Sequence, residues 1–433
     1  MKRRTFTCLL ASGAWGVRAD PPPSEAYEQD VAFLLEELPK HAGRCFELKK
    51  IDWPAVESEF RAAVKTVKSD GEHLILCRRL MARLKDGHAG IVDAKTAWPD
   101  ESHGRRWTGP RVHLVVIDEA VFVRAAFGEA AELGLKPGLR VETIDGRPAR
   151  QWLEAKVAEL RDRTGYSTDH QALHAACHWG LADWSGTTIT FIVAADQVAS
   201  REVAIVRNGG PNFAPIGPVF FPKDVRSLGR QSYGKTAEGL GYIHLRDVPG
   251  DLPAQIDTML AALGEVPGLI LDMRGNGGGG CDHATVIGRF LPKGTFWGEY
   301  ESAGATPFTG PMVVIVDAGT RSAGETVAGL FIQESRGYGL GDSPTAGMSA
   351  AKMKLTVPSG QFSANFAVRS HRHRWNKGRG IEGLGISPTQ VLPYDPGEML
   401  AGIDTQIRRA EQLLQIGFPP DSIDYQPPVP AGR

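Results

Sequence analysis

Four short segments of this chain carry residue types that can do chemistry. The first is Arg321-Ser-Ala-Gly-Glu325, which follows the apolar strand Met312 to Asp317 and opens a predicted helix from Ala323 to about Ser335. A serine at such a junction is exposed, and the first N–H groups of the helix beside it lack intrahelical partners. Ser322 is therefore placed to act as a nucleophile with an anion-stabilising site next to it. The same position equally suits an ordinary helix N-cap, for which serine is a preferred residue.

The second segment runs from Leu269 to Cys281 and ends in the glycine turn Gly275-Asn-Gly-Gly-Gly-Gly280, with a helix predicted over 282–291. Glycines after a strand let the backbone present N–H groups to an anion. The literal G-x-G-x-x-G pattern falls on Gly275, Gly277 and Gly280, so a dinucleotide fingerprint, with Glu299 or Glu301 as the ribose acid, is a competing reading. A run of four glycines also meets that pattern by chance. The third segment, Leu84-Lys-Asp-Gly-His-Ala-Gly90, holds His88 in a glycine-flanked loop, either as a satisfied turn residue or as a general base. The fourth, Gly380-Ile-Glu-Gly-Leu-Gly-Ile-Ser-Pro388, carries one carboxylate, Glu382, in what is otherwise an ordinary turn.

Elements of three kinds must position these segments. Residues 25–97 read as amphipathic helices, with apolar spacings of three and four at 31–38, 56–64 and 74–84, which predicts an N-terminal helical bundle delivering the His88 loop. Residues 110–208 read as strands, with a hairpin around Asp118 to Ala120 and a helical insertion at about 150–180. Residues 212–400 alternate strand, glycine loop and helix, which favours an α/β core with crossover connections. A C-terminal helix and tail occupy 401–433. The chain shows no internal repeat.

Length and composition fit a globular chain of two or three domains: 433 residues, 42% hydrophobic and 23% charged. A formal net charge of −1 leaves no footprint for nucleic acid. No apolar run reaches the length of a membrane span. The first 19 residues have a basic start, a mild apolar stretch and Val17-Arg-Ala19, as in an export signal, with Arg3-Arg4 before Thr-Phe hinting at the twin-arginine kind; a plain unstructured N-terminus is the alternative. Export would place the protein in a bacterial periplasm or outside the cell. Cys45, Cys77, Cys177 and Cys281 would remain, permitting disulfides without requiring them. His170, His174 and His178 share one predicted helical face, but without an H-E-x-x-H glutamate they read as packed side chains rather than metal ligands. The basic run Arg369 to Arg379 reads as a solvated hairpin face or as a contact for an acidic substrate segment.

Taken in order, the segments at 86–90, 269–279, 313–325, 341–347 and 380–388 resemble the tail-specific (C-terminal processing) serine peptidase family, in its tricorn-core and retinoid-binding-protein-like branch. The resemblance covers most of 25–395. It implies a PDZ-like domain at 110–208 and a crotonase- or ClpP-like α/β core, hence a mixed α/β and α+β multidomain fold. It makes Ser322 the nucleophile and His88 the base, with Glu382 orienting the imidazole. Ala323 and Gly279, or its neighbour Gly278, would supply the oxyanion-hole amides. The implied substrate is a peptide or protein, cut near its C-terminus, with no cofactor; the oligomeric state is open. Two departures stand out. Met348 occupies about the place of the lysine base of many family members, with Lys352 and Lys354 a few residues on. Gly87 stands where the tricorn-like pattern has a helper serine. A catalytically silent peptide-binding protein on the same core is the alternative those departures leave.

Overall fold

The computed structural model describes residues 23–99, 107–195, 199–208, 210–420 and 422. The leader expected at 1–19 lies outside them, as do residues 100–106 of the expected linker and most of the tail after 420.

The largest sheet has seven strands, in the spatial order Arg226–Leu228, Gln231–Lys235, Gly241–His244, Leu269–Asp272, Met312–Val316, Tyr338–Gly341 and Gln390–Val391. The first two joins are antiparallel and the remaining four parallel. Parallel neighbours need crossover connections; the helices Leu252–Leu263, His283–Gly288 and Ala323–Ile332 lie within them. Strands 269–272 and 312–316 are buried at every residue. That burial explains why they read as unbroken apolar runs, the mark of a sheet covered on both faces. One face packs Leu271, Val314 and Val316 with Ile256, Met259, Val327 and Phe331.

The second face is closed by a segment that the sequence reading set outside the core. Helix Thr405–Ile416 lays Ile407, Ala410 and Leu413, spaced by three, against Tyr242, Ile270, Val313 and Ile315. Asp404 caps it, accepting from the N–H groups of Gln406 and Ile407, and also pairs with Arg274 at 2.9 Å. Arg274 in turn holds Asp272 at the end of its own strand.

Near the N-terminus lie three helices, Pro23–Ala42, Trp53–Ala63 and Asp70–Ala82. Asp52 and Ser69 cap the second and third by accepting from Ala55 N and Glu72 N. Their apolar faces do not close on one another alone. Leu34, Leu38, Phe60 and Leu80 share one core with Val357, Phe362 and Phe366, from a hairpin nearly 300 residues later, Ala350–Thr356 with Ser363–Ser370. Strand Gly90–Val92 joins that hairpin as its third strand, pairing Gly90 with Asn365 and Val92 with Ser363. The loop carrying His88 is thereby tied to the far part of the chain.

A separate antiparallel sheet orders Val112–Ile117, Ala120–Ala126, Arg140–Ile144, Thr188–Ala194 and Arg201–Val206, with Arg147–Pro148 paired to the third. The first two strands turn over Asp118 and Glu119, both at positive φ, as a two-residue hairpin requires. The expected insertion is two helices, Ala149–Arg163 and Asp169–Cys177. The four described cysteines are unpaired.

Candidate active site

The strands 269–272 and 312–316 are parallel neighbours in register, Leu269 beside Met312. The glycine turn and the serine turn therefore leave the same, carboxyl, edge of the sheet, where open α/β sheets place their ligand sites. Ser322 sits at φ 57° and ψ −127°, a backbone conformation that costs a non-glycine residue about 1–3 kcal/mol. The surroundings hold it there. Arg321 N donates to Asn276 O at 2.9 Å, and Asn276 Oδ1 accepts from Gly278 N at 2.9 Å, so one asparagine ties the two turns together. Ser322 N donates to Glu325 Oε2 at 3.1 Å. Glu325 is fully buried and also accepts from Thr345 Oγ1, Gly347 N and Met348 N. Burial pushes its carboxyl up to about 8, against the pull of those donors.

The remaining bonds of the two turns leave few amides without an acceptor. In the glycine turn, Gly277 N donates to Arg246 O, Gly278 N to Asn276 Oδ1 and Gly280 N to Val248 O. In the serine turn, Gly324 N donates to Arg321 O and Glu325 N to Ser322 O. Among the described residues, the N–H groups of Gly279 and Ala323 have no acceptor, and both residues line the cavity of about 360 Å³ that holds Ser322. Gly278, the other amide expected from the sequence, is corrected: its N–H is spent within the turn. Its missing side chain matters instead, since a Cβ there would stand 2.7 Å from Ser322 Cβ. The dinucleotide reading of the same glycines meets a like obstacle, because Gly277 and Gly280 donate to protein carbonyls and Glu299 pairs with Arg372 and Arg374.

His88 reaches this cleft from 234 residues away, its Nε2 3.3 Å from Ser322 Oγ. The loop is braced: His88 N donates to Asp86 Oδ1, Asn365 Nδ2 to His88 O, and Ala367 N to Asp86 Oδ2. Burial drives the imidazole down to about 4; Lys352, Arg321 and His371 push the same way, and Asp86 opposes them. At neutral pH the ring is uncharged, as a base must be.

Glu382 stands close by but does not touch the imidazole directly. One ligand-type atom from each of Asp86, His88 and Glu382 falls within 4.8 Å of the others. Glu382 Oε1 accepts from Lys49 Nζ at 2.7 Å and from Ser167 Oγ at 2.9 Å, while Glu382 Oε2 and His88 Nδ1 are both buried without a partner among the described residues. Burial raises the Glu382 carboxyl to about 7, and Lys49 pulls it down. This trio is the one described group with the makings of a metal site. Its donors suit hydrogen bonding better, since an ammonium already sits on Glu382 and both Asp86 oxygens accept backbone N–H groups.

Lys49, Ser167, Asn276 and Glu325 were not singled out from the sequence. Lys49 and Ser167 lie in unremarkable stretches and meet Glu382 only through the fold. Glu325 had a readable signal, because Ser322 and Glu325 have the S-x-x-E spacing of a capping box. Ser167 also braces the histidine loop, because Gly87 N donates to Ser167 Oγ at 3.0 Å. A Cβ on Gly87 would lie 2.7 Å from Met348 Sδ, so Met348 fills the space a side chain there would need. Lys352 lines the Ser322 cavity, whereas Lys354 pairs with Asp93 at 3.0 Å. The three histidines of the insertion do not converge. His170 and His178 bond to the carbonyls of Thr345 and Ala214, and the rings of His174 and His178 pack on His113.

The α/β core thus presents a serine on a strained strand-to-helix turn at the carboxyl edge of its sheet. Residues 239–392 match the model of peptidase family S41. Over 418 residues the chain is 25% identical to "Putative tricorn protease homolog 2" of Streptomyces coelicolor, a match covering 88% of this chain and 32% of that protein. It is 29% identical over 309 residues to the "Carboxyl-terminal-processing protease" of a Picosynechococcus species, covering 65% of this chain and 69% of the relative. The chain thus spans about a third of the length of the first relative and about two thirds of the second. Among solved structures, mature CPAF complexed with lactacystin superposes with a TM-score of 0.64 at 12% identity, over 90% of this chain and 98% of that one. A putative peptidase from Parabacteroides merdae gives 0.51 at 16% identity, over 89% and 96%. At such identities the likeness is one of fold.

Proposed function

We propose that this protein is a serine peptidase in which Ser322 attacks a peptide carbonyl, His88 takes its proton and later gives it to the leaving amine, and the Ala323 and Gly279 amides receive the oxyanion. The observation that carries this reading is the 3.3 Å approach of His88 Nε2 to Ser322 Oγ beside two unspent amides. Glu382 serves as the carboxylate that favours the imidazolium, an effect that does not require direct contact at low dielectric. One bridging water would complete the hydrogen-bonded chain to Nδ1.

The domain reading follows the same resemblance. The 110–208 sheet acts as a PDZ-like peptide receptor, supported by strand Val112–Ile117 standing at the end of its sheet, where a peptide adds as a further strand. The N-terminal helices form the bundle that carries the base, and the core is crotonase- or ClpP-like. Cleavage near substrate C-termini and export to the periplasm belong to the proposal. Among the described residues, no helix is long and apolar enough to cross a membrane.

A fluorophosphonate probe tests the scheme. The wild type should label, Ser322→Ala should not, and His88→Ala should label at least 100-fold more slowly, given about 10²–10⁴-fold for a positioned base. Equal labelling of His88→Ala would remove His88 from the mechanism and leave Lys352, His283 and His371 as the candidate bases in the cavity.

A further inference from the structure

The cavity around Ser322 has a charge that the hydrolytic scheme does not use. Its charged and titratable lining, apart from Ser322 itself, is His283, Lys352, His371 and Arg372, and no carboxylate lines it. Lys352 projects from the exposed face of strand Ala350–Thr356. Its neighbour on that face, Lys354, is neutralised by Asp93, whereas no ion pair with a described carboxylate holds Lys352. Arg372 is partly balanced by Glu299 at 3.2 Å, a pair about half open to solvent on the acid's side. On the other flank of the serine, Arg321 lies over the Trp179 ring, also without an ion pair to a described carboxylate.

The field of these groups is felt at the reacting atoms. Lys352 and Arg321 both disfavour the charged form of His88, and Arg369, Lys352 and Arg372 do the same to His371. Lys352 and Arg372 line the cavity that holds the Ser322 hydroxyl, and Arg321 adjoins that serine in the chain. A cleft lined by one sign of charge concentrates ligands of the opposite sign. Of the two cations in the lining, Arg372 is partly balanced by Glu299 and Lys352 has no ion pair with a described carboxylate, so an entering anion would supply the missing counter-charge.

From this we infer that the substrate segment entering the Ser322 cleft carries a carboxylate close to the scissile bond, held by Lys352 together with Arg372. Two sources supply that chemistry, an Asp or Glu side chain and the free C-terminus of the peptide. The inference rests on the peptidase reading and adds to it the class of residue selected.

Internally quenched peptides on an alanine background test it, with each position near the scissile bond changed singly to Asp or Asn, each made as free acid and as C-terminal amide. A carboxylate in place should raise kcat/KM by about 10-fold or more over its neutral isostere, the range for hydrogen bonds to charged groups. The gain should shrink in 0.5 M salt. In Lys352→Gln the acid-to-amide ratio should fall toward one. A preference that survives amidation assigns the carboxylate to a side chain; one abolished by amidation assigns it to the terminus. Equal rates for Asp and Asn, free acid and amide, would overturn the inference while leaving the peptidase reading intact. If no peptide is cut, binding of the same peptides to Ser322→Ala, read by fluorescence anisotropy, decides it. Tighter binding of the carboxylate forms, lost on Lys352→Gln, sustains the inference, and equal binding or none refutes it. Failure of fluorophosphonate labelling would instead count against the peptidase reading itself.

Discussion

Replacing Lys49 by methionine isolates the least expected feature of the site, the ammonium seated on Glu382. The two side chains are 3% and 1% exposed and 2.7 Å apart, so neither charge is supported by solvent. Methionine keeps the bulk of the stem and removes the charge, leaving the carboxylate with Ser167 Oγ as its one remaining described donor. Breaking a buried pair in this way costs about 3–5 kcal/mol, a large part of the 5–15 kcal/mol typical of folded proteins. The sign with pH is diagnostic. Glu382 titrates above its ordinary range, so the folded state holds that proton more tightly than the unfolded chain, and its contribution to stability falls as pH rises from about 4.5 to about 7. Losing Lys49 moves the carboxyl further up, so urea denaturation should show a larger deficit at pH 8 than at pH 5. Activity should fall as well, by up to about 10⁴-fold, because a protonated Glu382 no longer favours the imidazolium. The double variant Lys49→Met/Glu382→Gln should recover most of the stability and none of the activity. A Lys49→Met protein as stable as wild type at pH 8, or a double variant no more stable than the single, would refute this account of the pair.

Three further outcomes follow from the geometry. Because Glu382 is raised to about 7 and His88 is held near 4, kcat/KM for an uncharged peptide should fall below about pH 7 as the carboxylate takes its proton, whereas the residual rate of Glu382→Gln should stay level down to about pH 5. In that background Lys352→Ala should move the acidic limb upward toward the ordinary imidazole value of about 6.5; an unmoved limb would separate Lys352 from His88. Gly279→Ala should abolish labelling by fluorophosphonate, since the residue sits at φ +143° and its new methyl would collide with Val248 O; circular dichroism distinguishes a lost site from a lost fold. Gly87→Ser should destabilise the protein by about 1–3 kcal/mol through overpacking against Met348, and the added change Met348→Ala should restore part of the loss in thermal unfolding.

The parts of this molecule legible in its sequence are those fixed by local pattern. The buried strands 269–272 and 312–316 announced themselves as apolar runs, and the Asp118–Glu119 hairpin by its flanking strands. Ser322, His88 and Glu382 stood in recognisable glycine-rich settings, and the fold brings all three into one region. Between Gly278 and Gly279 the sequence could not choose, because the choice depends on where Asn276 Oδ1 points. Long-range partners were invisible for a related reason. Lys49 is an ordinary lysine until a residue 333 positions later is folded onto it. Helix Thr405–Ile416 looked like an appendage because its amphipathic stripe does not say which surface it covers.

The third strand that Gly90–Val92 adds to the late hairpin has a bearing on how the protein is made. The imidazole of His88 and the ammonium of Lys49 emerge from the ribosome well before the hydroxyl of Ser322 and the carboxylate of Glu382. Until the hairpin exists, the early helices lack Phe362 and Phe366 to complete their interior, and the histidine loop has no edge to grip. On the proposed mechanism, the base and the nucleophile meet only once these two distant portions have docked.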